Sequence, residues 1–278
     1  MLDMTSHYWQ QISCIDPDVD RCKTGVTCWS VTMSCKLEVD VGSAVLSYRP
    51  AAGGQECVTV GRAGLPALYS AAPWRTFRWY KGQRHYSGWY WAATERDLVI
   101  HESRLELAAL MTADYAKSVR RIAAQPFMLE VKLNGKTHRH IPDYLFETDD
   151  GPVVLDVTRR DRLENPKAQL LFEWTAEVMR MFGWTYGVYT EPDPMQLMNV
   201  RFLTGYRRDW LINREIYQCM HDSVDDLVGL SFGQAEQRFA EYPGPLVRST
   251  LFHLLWRHEL DVNIGKRFSP NMVLQKPS

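Results

Sequence analysis

Hydrophobic and polar positions alternate at short range between residues 98 and 189 and then change to helical spacing. Leu98-Val99-Ile100 makes a short apolar strand, Ser103 is an N-cap, and a helix follows from residue 104 to 111 or 116. Residues 119–122 lead into Gln125-Pro126 and a strand over 127–133, with Phe127, Leu129, Val131 and Leu133 on one face. Asn134-Gly135 is a tight hairpin turn. Two further runs, 138–146 and 152–158, flank Thr148-Asp149-Asp150-Gly151 and predict a second antiparallel pair. Asn165-Pro166 opens a helix to residue 181, with Leu170, Trp174, Val178 and Met181 at helical spacing. Gly183-Trp184 ends it, and residues 185–189 form another strand. Helix, strands, helix and strand in this order predict an α/β core with edges near residues 95 and 194.

Helical spacing dominates downstream, over 195–203, 210–222, 233–242 and 246–257. Residues 260–263 and 272–274 then flank Gly265-Lys266-Arg267. This predicts a mainly helical C-terminal domain, either winged-helix-like with a basic tip or a helical cap closed by a hairpin. Residues 1–72 alternate only weakly, at 31–37 and 39–46, with Gly53-Gly54 and 61–66 as breakers, and their role stays unassigned. The expected organisation is therefore 1–72, 73–194 and 195–278.

Between residues 73 and 91 the chain interleaves Arg75, Arg78, Lys81 and Arg84 with Trp74, Phe77, Trp79, Tyr80, Tyr86, Trp89, Tyr90 and Trp91. Such a stretch can hold phosphates while its rings stack on bases. It reads equally as an arginine-decorated strand pair whose aromatics fill the core.

Composition narrows the class. A chain of 278 residues, 45% hydrophobic and 23% charged, is long enough for one or two globular domains. The net charge of -1 excludes a globally basic surface, so any nucleic-acid contact is a local patch. There is no run of about 18 apolar residues and no secretory start, so the expectation is a cytoplasmic protein without membrane contact. Five of the six cysteines (Cys14, Cys22, Cys28, Cys35, Cys57) crowd the N-terminal fifth with His7 but form no Cys-x-x-Cys pair, which favours reduced thiols over zinc.

The chemistry centres on the second strand pair. If Thr148 to Gly151 form the turn, Glu147 faces Pro152, Leu145 faces Val154 and Asp143 faces Asp156. The two acids then share a face, with Cβ atoms roughly 5 Å apart, where like charges repel. A hard, oxygen-loving cation between them would relieve that repulsion. Glu106 falls in the apolar arc of its helix, where a carboxylate has to be paired, protonated or metal-bound; Glu102 is the less embedded alternative. Three such acids around Mg²⁺ or Mn²⁺ suit phosphodiester hydrolysis, in which the metal activates water and stabilises developing charge.

Pro142-Asp143 followed by Asp156-Val157-Thr158 approximates the Pro-Asp…(Asp/Glu)-x-Lys pattern of restriction-endonuclease-like nucleases. With Arg78-x-x-x-Gly82-Gln83, Tyr90-Trp91, Glu102-Ser103-Arg104-Leu105-Glu106, Gln125-Pro126-Phe127, His140-Ile141-Pro142-Asp143, Leu155-Asp156-Val157, Gly183-Trp184, Asn199-Val200-Arg201-Phe202-Leu203 and Leu254-Leu255-Trp256-Arg257-His258 in this order, the chain from about residue 75 onward resembles the TnsA-like endonuclease subunits of heteromeric transposases. The resemblance implies a restriction-endonuclease-like mixed β-sheet core flanked by helices, and cleavage of the 5′ ends of a mobile element. It implies DNA, a TnsB-like DDE transposase and a TnsC-like AAA+ ATPase as partners. It makes Glu106, Asp143 and Asp156 the metal ligands and sets Thr158 where the pattern has lysine. Arg159, Arg160 or Lys167 could supply the missing charge and contact DNA, although an arginine is too basic to act as a general base. A stand-alone restriction or repair nuclease would use the same site, and a non-cleaving scaffold of the transposition complex is the reading that Thr158 favours.

Overall fold

The computed structural model describes residues 12–14, 39–59, 64–75 and 86–277. It divides into two units, Met1–Glu191 and Pro192–Ser278. The first is a mixed α/β unit. Its elements run β1 (Ile12–Cys14), β2 (Val39–Tyr48), β3 (Glu56–Thr59), α1 (Leu65–Tyr69), β4 (Gly88–Ala92), β5 (Asp97–His101), α2 (Arg104–Tyr115), β6 (Val119–Ala124), β7 (Met128–Leu133), β8 (Lys136–His140), β9 (Tyr144–Thr148), β10 (Gly151–Val157), α3 (Pro166–Met181) and β11 (Thr185–Tyr189).

Three sheets form among the described residues: β1-β11-β10-β9-β6, β3-β2-β7-β8 and the pair β4-β5. In the five-stranded sheet only β10 and β11 run parallel, and α3 is the connection that a parallel pair needs. The apolar face of α3 explains its seat. Trp174 and Val178 are buried in a core shared with Leu145, Val154, Tyr186 and Val188 of the five-stranded sheet and Leu46, Leu129 and Val131 of the four-stranded one. N-terminal strands β2 and β3 therefore belong to the same body as the central strands.

Turn chemistry sets the hairpins. Asn134 and Gly135 both take left-handed backbone angles (φ 47 and 75) between β7 and β8, as a two-residue hairpin turn requires. Asp149-Asp150 joins β9 to β10, with Gly151 at φ 110. Pro152 pairs with Glu147 and Val154 with Leu145, the register that the turn count predicts.

Residues 138–146 are not a single strand: β8 ends at His140 in the four-stranded sheet, and β9 begins at Tyr144 in the five-stranded one. Pro142 lies at the crossover, where its missing N–H removes a ladder donor. Gln125-Pro126-Phe127 makes the matching crossover from β6 to β7, and the Gln125 N–H donates to the Asp143 carbonyl oxygen (2.8 Å).

The second unit is helical: α4 (Pro194–Leu203), α5 (Arg214–Asp222), α6 (Val224–Leu227), α7 (Phe232–Arg238) and α8 (Gly244–Trp256), around Met220, Leu227, Leu251, Leu254 and Leu255. Asn213 caps α5 by accepting the Ile216 N–H, so this helix starts later than residue 210. The two-stranded wing expected from 260–263 and 272–274 shrinks to isolated bridges, Asp261 with Gln275 and Ser231 with Val273. Asn199, buried in α4, explains the tip between them: its amide donates to the carbonyls of Ile264 and Lys266 (2.7 Å each), fixing that loop as a turn and leaving Lys266 and Arg267 exposed. No helix among the described residues is long and apolar enough to cross a membrane.

Candidate functional site

The acids gather where α2 begins and where β9 and β10 meet. Ser103 caps α2 by accepting the Glu106 N–H (3.1 Å), and Glu106 folds back so that Oε2 accepts the Glu102 N–H (2.6 Å). A carboxylate is favoured at a helix N-terminus. Burial nevertheless pushes the Glu106 pKa up; the two local hydrogen bonds oppose the shift, and the Glu102 charge adds to it.

Asp143 emerges from the crossover as the first residue before β9. The β9/β10 pairing ends with Tyr144 opposite Leu155, which makes Asp143 and Asp156 the next pair outward. Asp143 Oδ2 accepts the Val157 N–H (2.7 Å), yet its pKa stands well above the carboxylate range. Burial is the main cause, followed by the charges of Asp156 and Glu106.

Asp156 is only 4% exposed and is held differently. His140, through Nε2, donates to its Oδ2 (2.7 Å), and the Tyr186 hydroxyl donates to the same oxygen. His140 also sets its ring edge-on to Trp174 of α3. Burial, then the Asp156 carboxylate, push the Tyr186 hydroxyl well above its ordinary pKa, so it stays a donor.

The remaining expected residues have partners of other kinds. Thr158 follows β10 and continues the pairing through its N–H to Tyr189 O (2.9 Å). Arg159 pairs with Asp161 (3.4 Å), and Arg160 binds Glu191 through its N–H (2.9 Å) and its guanidinium (3.2 Å). Lys167 is exposed in the first turn of α3. Arg75 pairs with Glu102 (3.2 Å). Arg78, Lys81 and Arg84 lie outside the described residues, as do His7, Cys22, Cys28 and Cys35; Cys57 is an exposed free thiol.

Among the described residues no three His, Cys, Asp or Glu side chains stand in an arrangement that could hold a metal ion. The donor chemistry still suits a hard divalent cation. The hydrogen bonds of each acid fall on one oxygen, Glu106 Oε2, Asp143 Oδ2 and Asp156 Oδ2, and the other oxygen of each is the one a cation would take. Burial raises the pKa of both Asp143 and Glu106, with the charges of Asp156 and Glu106 adding to it at Asp143 and that of Glu102 at Glu106, and a bound cation would relieve that strain.

Sequence reasoning did not assign His140, Tyr186 or Gln125 a role. His140 sits in a quoted motif, but its contact with Asp156 joins strands of different sheets. Tyr186 reaches Asp156 through a parallel pairing, and no turn signal encodes that register. No family model matches the chain, and no curated protein matches it.

Proposed function

We propose that the chain is a metal-dependent DNA endonuclease subunit of a heteromeric transposase, TnsA-like, with a restriction-endonuclease-like core. In this reading Asp143, Glu106 and Asp156 would hold Mg²⁺ or Mn²⁺, Asp156 being kept in place by His140 and Tyr186. Such a metal would supply activation of water and charge stabilisation at the scissile phosphate. Arg75, Arg78, Lys81, Arg84, Arg159, Arg160 and Lys167 contact DNA phosphates. A TnsB-like DDE transposase cuts and joins the 3′ ends, a TnsC-like AAA+ ATPase regulates the assembly, and the complex works in the cytoplasm.

The observation that carries the reading is Asp143: a carboxyl beside Val157, pushed up by burial and by two neighbouring acids that arrive from separate elements. The order α2, β6, β9, β10, α3, β11, with one parallel pair at its end, supports it. Calorimetric Mn²⁺ titration of the unaltered chain and of Glu106→Ala, Asp143→Ala and Asp156→Ala tests the site. Each variant is expected to stay folded and to bind Mn²⁺ more weakly. Affinity unchanged in all three removes the metal site.

A second reading, a non-cleaving scaffold of the same complex, is favoured by two observations: Thr158 brings no cation, and Asp156 is already engaged by His140 and Tyr186.

A further inference from the structure

Gln125 uses all of its main-chain and side-chain polar groups at the acid end of the molecule. Its N–H donates to Asp143 O (2.8 Å), and its carbonyl accepts the Trp74 N–H (3.2 Å). Its side-chain Oε1 accepts the Arg75 N–H (2.9 Å), and Nε2 donates to Glu102 Oε1 (2.9 Å). Glu102 in turn donates its N–H to Glu106 Oε2, and its other carboxylate oxygen accepts from the Arg75 guanidinium. The residue is 4% exposed and adopts φ 47, a left-handed conformation in which glycine is at ease and a long side chain is not.

Backbone geometry alone therefore asks for glycine at this crossover. A glutamine there has to return something through its amide, and what the amide reaches is Glu102 and the segment entering the basic stretch. We infer that Gln125 is a positioning residue for the acid cluster: its main chain sets Asp143, and its side-chain amide sets Glu102 and through it Glu106. This rests on the metal reading of the preceding section and adds the residue that aligns two of its acids. Partners that orient ligands characteristically change metal affinity without touching the metal.

The φ value supplies a clean test. Gln125→Gly keeps both main-chain hydrogen bonds, relaxes the backbone and deletes only the amide. Gln125→Asn also tolerates φ 47 but is one methylene short of Glu102. Mn²⁺ affinity of the full chain by calorimetry, and melting temperature without metal, are measured for the unaltered chain, both variants, Glu102→Gln and the double variant Gln125→Gly/Glu102→Gln. Both Gln125 variants are expected to melt within a few degrees of the unaltered chain and to bind Mn²⁺ about tenfold more weakly. Gln125→Gly is expected to cost markedly less affinity in the Glu102→Gln background, because the lost contact is the shared one.

Unaltered Mn²⁺ affinity in both Gln125 variants overturns the role of Gln125 and leaves the metal site standing. Loss of folding in both variants makes the amide structural and overturns it too. Absence of Mn²⁺ binding by the unaltered chain overturns the metal site itself, and the role of Gln125 with it.

Discussion

His140 Nε2 lies 2.7 Å from Asp156 Oδ2, a contact between the last residue of β8 in one sheet and a buried residue of β10 in the other. With Tyr186 on the same oxygen, this keeps a buried carboxylate supplied with donors. His140→Ala withdraws one donor from Asp156 and opens a gap beside Trp174. We expect a loss of roughly 1–3 kcal/mol in urea unfolding. Asp156→Asn, which removes the charge that needs them, is expected to cost less than His140→Ala. A His140→Ala chain as stable as the unaltered one contradicts the assignment.

Asp143 gives a pH dependence of definite sign. Its folded-state pKa is raised, so at intermediate pH the folded chain holds a proton that the unfolded chain releases. Its contribution is complete below the ordinary carboxylate range and is lost as pH rises through the raised value. Asp143→Asn keeps an acceptor for the Val157 N–H and removes the charge. It is expected to raise the melting temperature at neutral pH by roughly 2–4 °C per kcal/mol relieved, and to change little near pH 3. Added Mn²⁺ should stabilise the unaltered chain at neutral pH and not the variant. Scanning calorimetry at pH 3 and pH 7 measures both effects, and a variant that melts lower at neutral pH contradicts the repulsion.

On the proposed TnsA-like reading Thr158 stands where a lysine is expected, and Arg159 and Arg160 pair with Asp161 and Glu191. Thr158→Lys brings an ammonium to the end of β10, and we expect it to lower the Mg²⁺ concentration needed for half-maximal nicking by about tenfold. If Arg159, Arg160 or Lys167 already supplies that charge, the lysine changes little, and alanine at the responsible position abolishes nicking. Nicking rate against Mg²⁺ concentration separates the two.

Much of the site was legible in sequence because hairpins are local. The Asp-Gly turn sets Glu147 opposite Pro152, and counting outward brings Asp143 to Asp156. Ser103 and Asn165 announce their helices by capping chemistry that the structure repeats. The split of residues 138–146 between two sheets was hidden because its alternation continues across Pro142; only pairing with β7 ends β8 at His140. His140, Tyr186 and Gln125 escaped because their partners lie on elements joined by crossovers, whose geometry the hydrophobic pattern does not carry. The two-stranded element expected from 260–263 and 272–274 is reduced to the Asp261–Gln275 bridge because Leu274 exchanges hydrogen bonds with Gly229 and Leu230 instead.

Strand-resolved cleavage tests the proposed endonuclease activity. The chain, with and without a TnsB-like DDE transposase and a TnsC-like AAA+ ATPase, is incubated with element-end DNA and Mg²⁺ or Mn²⁺, and both strands are mapped. The proposed function predicts 5′-strand nicks that require the divalent metal and the partner transposase, because a near-neutral chain does not carry the net positive charge of an independent DNA binder. It also predicts that Asp143→Ala abolishes them while 3′-strand cutting by the partner persists. No 5′-strand nick under any of these conditions, or nicks undiminished in Asp143→Ala, contradicts it.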